Sequence, residues 1–551
     1  MNPFWVTFYS YKGGVGRTLS LVNSAALLAQ QGRTVLLVDF DLEAPGLDSF
    51  RQLDITLGRR GVVEYFSDFV QSDKAPKLSD YVQTPQMGFA EPGTVLVMAS
   101  GRKDREYNRL RDLLNWSDLY DSGLGQLMIA EWKAAIASEY HPDYVFVDSR
   151  TGLTDAGGVC TLHLPDLVIT LFALNRQNID GVSSVIKAVE EAATERRPQL
   201  LTVATPIPAT TIDDRAVLEA LNNAQLVLGR KIDLRVSYNP AAALSERIFV
   251  AENPELRRPL LIEYKEIVQR IKAANTEGLD GLLIQAETAR RNDNDKLALA
   301  VAEKLQKEFA DRQDARLQTA ELYRQFVGRE RAVPLWEAAF AHNHALIAAF
   351  TPLVSFYRAQ RNFERVLELC QQFLSTPQGK NSPEATEARH IQAEALMAVG
   401  RPSAAAEQYQ SIIQSERAGL ATKFNAAEAW RRVSREPDTK LWQLVIDLYE
   451  KRERRDLPSV EANYAQAMHI AYACVGDVNR AREILHEATG FAALASGEIF
   501  SVVTYQFVNK EEFLKYNNTC AAALERGELW DGMKLPSSLG HAASSADPIP
   551  A

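Results

Sequence analysis

The hydrophobic residues in the first half of the chain fall in uninterrupted runs of strand length, separated by segments with helical periodicity. Uninterrupted runs are typical of strands that are buried on both faces of a parallel sheet. Strands that alternate with helices in this way predict an α/β domain with a doubly wound, mostly parallel sheet. The predicted strands cover residues 4–9, 34–38, 94–101, 144–147, 167–174 and 200–205.

The second half has a different pattern, because strand-like runs nearly stop after about residue 279 and helical segments recur in pairs. Residues 393–409 and 467–482 each consist of a helix, a tight turn and a second helix. Successive turns are roughly 32 to 40 residues apart, which is the range of tetratricopeptide-type hairpins. Weaker copies have their turns at Gly328, near Gln360 and near Glu436.

Stacked hairpins of this kind form an all-α arm whose concave face binds a protein or peptide partner; an irregular helical bundle is the alternative. We therefore predict an α/β domain at residues 1–278 and a tetratricopeptide-like helical-repeat domain at residues 279–534. The remaining residues, 535–551, are rich in Ser, Ala and Pro, and this composition predicts a disordered tail.

The composition is that of a soluble globular protein, with 46% hydrophobic and 24% charged residues in a chain of 551. The net charge of −10 argues against a general nucleic-acid or anionic-membrane surface, so we expect neither as a partner. Four scattered cysteines form no CxxC pair, as expected of buried thiols in a reducing compartment. The chain enters a predicted strand at once and no apolar run is long enough to span a bilayer, so we expect a cytoplasmic protein.

A glycine-rich segment at residues 9–18 connects the first predicted strand to the first predicted helix. This order favours a phosphate cradle, because glycines let backbone N–H groups approach phosphate oxygens and the helix contributes its positive end. Thr18 offers a hydroxyl to Mg²⁺, while Lys12 and Arg17 supply cations for the β- and γ-phosphates. On its own, such a loop is also compatible with an ordinary tight turn. The residues expected to bind the nucleotide are Lys12, Gly13, Gly14, Val15, Gly16, Arg17, Thr18 and Leu19.

Carboxylates follow two of the other predicted strands. Asp39 and Asp41 end the strand at residues 34–38, and Asp148 ends the strand at residues 144–147. The carboxyl ends of parallel strands form the ligand-binding edge of an α/β sheet, although an isolated acidic turn is also compatible with a solvated surface. The pattern around Asp148 is typical of a Walker B strand, so we expect Asp148 to hold Mg²⁺ through water. The N–H group of Gly152 is placed to contact the γ-phosphate.

The run Lys12-Gly13-Gly14-Val15-Gly16-Arg17-Thr18 resembles the deviant Walker A motif of the ParA/MinD ATPases, within the dimerising SIMIBI class of NTPases. The resemblance covers roughly residues 1 to 275. It implies ATP and Mg²⁺ as cofactors and a homodimer in which Lys12 reaches the partner's nucleotide. It also implies that Asp41 orients the attacking water and that Asp39 lies near the Mg²⁺ shell.

The sequence departs from that family pattern at Arg17, which stands where the loop lysine is expected. Arginine is planar, bulkier and always charged, so the exchange is not conservative. The resemblance therefore leaves two hypotheses open: an ATP-hydrolysing switch whose helical arm recruits or regulates a partner protein, and a scaffold whose bound nucleotide is not hydrolysed. ATPases with this arginine and helical repeats also resemble members of bacterial conflict, antiphage or signalling systems.

A third hypothesis is an ATPase that positions DNA or membrane-bound cargo, as the best-known relatives do. The acidic composition argues against DNA. The tail lacks the basic amphipathic helix that recruitment to a membrane needs.

Overall fold

The structure is a computed structural model of the chain. None of the helices it describes is both long enough and apolar enough to cross a membrane. The described residues are 2–72, 74–88, 92–152, 158–192, 197–208, 214–241, 246–251, 258–434, 438–452, 457–495, 500–502, 505–507, 509–529, 531–532 and 534. The predicted disordered tail lies outside them.

A parallel sheet of seven strands organises the first half of the described chain. The strand order is β3-β2-β4-β1-β5-β6-β7, and every neighbouring pair is parallel. The strands are β1 (Phe4–Tyr9), β2 (Thr34–Asp39), β3 (Thr94–Met98), β4 (Tyr144–Asp148), β5 (Leu167–Phe172), β6 (Gln199–Ile207) and β7 (Leu234–Ser237). The predicted α/β fold with a doubly wound parallel sheet is confirmed, and β7 adds an edge strand that the sequence pattern did not reveal.

Helices follow most strands and cover both faces of the sheet. Alternate residues of β2 enter different cores: Val35 and Leu37 pack on one face, and Leu36 and Val38 pack on the other. This double burial explains why the strands read as continuous apolar runs. The helices of this half are α1 (Arg17–Gln30), α2 (Val62–Ser72), α3 (Arg105–Leu113), α4 (Trp116–Asp121), α5 (Leu124–Glu139), α6 (Arg176–Glu191), α7 (Asp214–Leu228) and α8 (Arg258–Ala274).

A long all-helical region follows the sheet domain. Its only described strands are a short antiparallel hairpin, β8 (Phe500–Val502) and β9 (Tyr505–Phe507). The helices are α9 (Leu279–Arg291), α10 (Asp295–Glu308), α11 (Gln313–Phe326), α12 (Arg329–His342), α13 (Ile347–Ala359), α14 (Phe363–Ser375), α15 (Pro377–Asn381), α16 (Ala385–Ala398), α17 (Pro402–Gln414), α18 (Leu420–Ser434), α19 (Thr439–Lys451), α20 (Pro458–Cys474), α21 (Val478–Leu494) and α22 (Lys510–Glu525).

The predicted hairpin turns coincide with left-handed backbone positions. Gly400 separates α16 from α17 with φ 75°, and Gly476 separates α20 from α21 with φ 88°. The turn predicted near Gln360 contains Arg361 at φ 58°, and the turn near Glu436 lies outside the described residues. A helical region made of hairpins is therefore present, and its assignment as tetratricopeptide-like repeats stays a prediction.

The chain divides into two compact units, residues 1–318 and 319–551, so the division lies within α11 and beyond the sequence-based boundary at 278/279. A buried ion cluster explains why α9 belongs to the first unit. Arg33, next to the start of β2, donates to both carboxylate oxygens of Asp280 at 2.9 and 2.8 Å. The hydroxyl group of Tyr144, the first residue of β4, donates to Asp280 at 2.7 Å, and Lys272 Nζ lies 2.9 Å from Asp280 Oδ1. Burial raises the pKa of Asp280, but these partners lower it more, so the net shift is downward.

The second unit buries a histidine in α20. The ring Nδ1 of His469 contacts the carbonyl oxygen of Gln466, and only 1% of the residue is exposed. Burial lowers the pKa of His469 to about 4, because the charged imidazolium loses its hydration there. The folded state therefore binds the proton less readily than the unfolded state, whose pKa is about 6.5.

This difference predicts a loss of stability in acid. Stability from His469 is present above the unfolded pKa and is lost as the pH falls from about 6.5 to about 4. The free energy of unfolding, measured by urea denaturation, falls between pH 7 and pH 4. We expect this decrease to be about 3 kcal/mol smaller in His469→Gln than in wild type. An equal pH dependence of the two proteins would contradict the assignment; His342→Gln, on α12, is the control.

Candidate active site

The glycine-rich loop at residues 10–16 lies between β1 and α1 and leaves an open cradle. Gly14 and Gly16 adopt φ values of 81° and 80°, which other residues rarely tolerate. A Cβ atom placed on Gly13, Gly14 or Gly16 would meet no heavy atom within 4 Å. The loop therefore has left-handed turns and free space beside its backbone, as a bound phosphate requires.

Helix α1 presents an uncapped N-terminus to this loop. Gly16 precedes the helix without a side-chain hydrogen bond, and the first turn contains no acidic residue. The first N–H groups of any helix lack intrahelical acceptors, so the positive end of α1 is available to an anion.

The predicted carboxylates meet at the carboxyl ends of β2 and β4. These strands are neighbours, and Asp39 is in register with Asp148. Asp148 accepts a hydrogen bond from the Thr18 hydroxyl at 2.6 Å. Asp39 accepts from the N–H groups of Gly46 and Leu47, both at 3.1 Å, so it holds the loop that follows Asp41. The hydroxyl group of Thr18 and the carboxylates of Asp39 and Asp148 thus lie together beside the glycine loop.

Arg17 connects two of these acids. Its Nε donates to Asp148 Oδ1 at 2.5 Å, and its Nη2 donates to Asp41 Oδ2 at 2.7 Å. Only 9% of Arg17 and 5% of Asp41 is exposed, so these ion pairs are largely shielded from water. The third guanidinium nitrogen, Nη1, is buried without a hydrogen-bond partner. The loop cation thus contacts the two acids expected to act in catalysis and metal binding, and it keeps one unused donor.

One guanidinium does not neutralise three neighbouring carboxylates, and the pKa values reflect this imbalance. Burial, together with the charge of Asp148, raises the pKa of Asp39 to about 8. Burial also raises the pKa of Asp148, although Arg17 opposes the shift. Burial lowers the pKa of Arg17, but Asp148 and Asp41 raise it more, so it stays charged. An additional cation would relieve the excess negative charge.

The remaining predicted residues occupy different environments. Lys12 is exposed and its Nζ contacts the Gln177 side chain in the first turn of α6. Val15 packs its side chain into the core under the sheet. Gly152 follows β4 at φ 81°, and the next residues, 153–157, lie outside the described part of the chain.

The loop after Asp41 has supports that the sequence did not reveal. The Tyr107 hydroxyl, on α3, donates to the Leu42 carbonyl at 2.7 Å in a buried contact. Arg150 pairs with Glu43 at 2.6 Å, which joins the segments that follow β2 and β4. Tyr107 and Lys103 lie in the arginine-rich segment at residues 102–111, and Lys103 also contacts this loop, at Pro45 and Asp48. An aromatic among arginines carries no sequence signal of such a contact.

A small pocket of about 100 Å³ adjoins the glycine loop, and sequence reasoning assigned none of its far wall. One wall consists of residues 14–16 with Leu19, and the opposite wall comes from the carboxyl ends of β6 and β7 and from α8. Because β7 was missed, this wall could not be placed. The far-wall residues are Thr205, Pro206, Val236, Ser237, Tyr238, Asn239, Leu260 and Tyr264.

The donor set suits Mg²⁺ and phosphate. Mg²⁺ prefers oxygen ligands and keeps several waters or phosphate oxygens in its shell. No group of three or more His, Cys, Asp or Glu side chains in the described residues is arranged to hold a metal by itself. Thr18, Asp148 and Asp39 are the residues that would hold Mg²⁺, with phosphate oxygens and water completing its shell.

Residues 6–312 match the family described as the CobQ/CobB/MinD/ParA nucleotide binding domain. The chain belongs to this family. The match extends from β1 to the end of α10 and so includes the loop, the carboxylates and the pocket. A comparison with curated proteins gives no match.

Several solved structures are similar to about half of this chain. A ParA family ATPase from Chlorobium tepidum TLS is 17% identical, with 48% of this chain and 98% of that chain covered and a TM-score of 0.36. A complex of a Cyanothece McdA variant with ATP is 15% identical, covering 49% and 96%, with a TM-score of 0.38. The septum site-determining protein MinD from Pyrococcus horikoshii OT3, complexed with Mg-ADP, is 15% identical, covering 49% and 96%, with a TM-score of 0.37.

The buried ion pairs of Arg17 predict a stability effect in the absence of nucleotide. Arg17→Gln leaves Asp41 and Asp148 buried without their cation, so we expect the free energy of unfolding to fall by about 3 kcal/mol. Urea denaturation followed by tryptophan fluorescence measures the change. Arg150→Gln, which removes a more exposed ion pair, is the control and should cost about 1 kcal/mol or less. Equal stability of Arg17→Gln and wild type would contradict the role assigned to these contacts.

Proposed function

We propose that this protein is a nucleotide-driven switch that binds ATP with Mg²⁺, hydrolyses it, and dimerises in the ATP-bound state. The observation that carries the proposal is one contact network at the open end of the glycine loop, in which Arg17 and Thr18 of α1 contact Asp41 and Asp148. Membership of a nucleotide-binding family supports the choice of ligand.

The residues of the network have separable roles in this proposal. Backbone N–H groups of the loop and α1 bind the phosphates, and Thr18, Asp39 and Asp148 hold the metal. Mg²⁺, when bound, offsets negative charge on the phosphate oxygens. Lys12 and Arg17 add positive charge where the transition state needs it, and an Asp41 oxygen accepts a hydrogen bond from the attacking water and orients it.

The contacts of Arg17 with Asp41 and Asp148 place these acids in competition with a bound phosphate. Asp41 Oδ2 already accepts from Arg17 Nη2, so the guanidinium occupies one of the acceptor positions that a water molecule would use. A phosphate in the cradle competes with Asp41 and Asp148 for the guanidinium, because arginine binds phosphate through the same donors. Nucleotide binding thus releases Asp41 for catalysis. The buried Nη1 donor without a partner supports such an exchange.

The exposed position of Lys12 supports a role in dimerisation. Its neighbour in the same chain is the neutral Gln177, so the lysine charge is not consumed by an ion pair there. An exposed cation at the mouth of a phosphate site is suited to contact the nucleotide of a second copy.

In this proposal, the helical-repeat domain at residues 279–534 is the arm that recruits or regulates a partner protein, and residues 1–278 form the ATPase domain. The hairpins of the helical region support it, because stacked hairpins expose long surfaces suited to binding proteins. A bacterial conflict, antiphage or signalling system is the proposed setting.

Replacement of the water-orienting acid tests the hydrolysis step. We expect Asp41→Ala to lower phosphate release at least about 100-fold, while ATP binding stays within about threefold of wild type. Phosphate release measured over hours and binding of a fluorescent ATP analogue check the two quantities separately. Asp48→Ala, in the same loop but more exposed, is the control. Turnover at the wild-type rate by Asp41→Ala would contradict the assignment.

The molecular mass in solution tests the dimer. With ATP and Mg²⁺, Asp41→Ala should accumulate as a dimer, because it binds ATP without hydrolysing it. Lys12→Ala should stay a monomer under the same conditions, as measured by light scattering after size exclusion. Arg176→Ala, which removes an exposed cation nearby, is the matched control. A Lys12→Ala protein that dimerises as readily as Asp41→Ala would disprove the role of the lysine.

The second candidate is a scaffold whose bound nucleotide is not hydrolysed. The double contact of Arg17 with Asp41 and Asp148 favours it if the guanidinium keeps Asp41 when ATP is bound. Phosphate release by wild type no faster than by Asp41→Ala, with ATP bound tightly in both, would identify this function.

A further inference from the structure

A groove of about 480 Å³ lies between α13 and α16 in the second compact unit. Its floor is apolar and consists of Phe350, Val354, Ala388 and Ile391, all of which are buried. The volume is within the range of sites that bind small ligands or short peptide segments.

The residues that line the groove follow one face of each helix. Thr351, Ser355 and Arg358 come from α13, and Glu384, Glu387 and Ile391 come from the N-terminal end of α16. Each set runs over about two turns, or about 10 Å of helix, which equals the length of about three residues of extended chain. The hydroxyl groups of Thr351 and Ser355 are exposed and can pair with a peptide backbone.

The charges of the groove do not balance. Arg358 pairs with Glu394 at 2.6 Å, so its charge is already compensated. Glu384 and Glu387 have no ion-pair partner among the described residues. The Oε2 atom of Glu384 is also buried without a hydrogen-bond partner. The carboxylates of Glu384 and Glu387 therefore carry negative charge that a ligand cation in the groove would compensate.

We propose that this groove binds an extended segment of a partner protein in which an apolar side chain stands next to a lysine or arginine. The apolar side chain covers the floor and the cation pairs with Glu384 and Glu387. The proposal deepens the partner-binding role of the helical arm and rests on it. Residues 535–551 of this chain are a poor occupant, because they contain Asp547 and neither lysine nor arginine.

Selection from a displayed library of random nonapeptides tests the recognition rule with the full-length protein. We expect the enriched peptides to contain an apolar residue adjacent or next-but-one to Lys or Arg. Enrichment of acidic peptides, of peptides without a cation, or of none at all would overturn the proposal. Enrichment of a segment of the chain's own tail would overturn the choice of a partner protein.

A fluorescein-labelled copy of the most enriched peptide then tests the site by anisotropy. Glu384→Gln, which keeps the shape of the side chain, should weaken binding about tenfold, and the same peptide with its cation replaced by Gln should lose a similar factor. Glu364→Gln, at an exposed acid on α14 outside the groove, is the matched control and should bind as wild type does. Equal affinity of Glu384→Gln and wild type would overturn the site.

Binding of a fluorescent ATP analogue is measured in the same samples. Failure of wild type to bind ATP would contradict the proposed switch without affecting the peptide result. Wild type that binds the ATP analogue but not the peptide would contradict only the proposed peptide site in the groove.

Discussion

Acidic side chains are concentrated at the ends of β2 and β4, where three aspartates are held next to one arginine. The parallel register sets Asp39 beside Asp148, and Arg17 spans from Asp148 to Asp41. The site therefore carries more acid than the guanidinium can compensate, which is why burial can raise the pKa of Asp39 to about 8. A divalent cation at the acids and an anion in the open glycine cradle would complement each other here, since the cation would compensate the acids and the loop has room for the anion.

Much of this arrangement follows from local sequence rules. Apolar runs identified six of the seven described strands of the sheet, because each is buried on both faces and cannot alternate. The acids of the site were identified because they end such runs, and parallel strands bring their carboxyl ends to one edge. Strand β7 was missed because it has four residues and exposes Arg235, so it lacks a continuous apolar run.

Other features of the site depend on packing between distant segments and carry no sequence signal. The partners of Arg17 were not predictable, because they depend on which acids lie within reach after folding. Tyr107 contacts the loop after Asp41, although the two are far apart in the chain. The pocket beside Leu19 likewise combines residues from distant segments. In the helical region, turn glycines were visible, whereas the unpaired state of Glu384 is visible only from the surrounding structure.

Through the Arg33–Asp280 cluster, strands β2 and β4 also connect α9 to the candidate site. Both strands begin beside this cluster and end in Asp39 or Asp148. Each strand is about 17 Å long. At its first end it contacts α9, the first helix of the α-helical region, and at its carboxyl end it carries an aspartate of the candidate site. The path from either aspartate to Asp280 consists of strand backbone and the hydrogen bonds that Arg33 and Tyr144 donate to Asp280, with no intervening loop. Within the first unit, α9 is thus connected to the aspartates at the carboxyl ends of β2 and β4 by hydrogen bonds and covalent backbone alone.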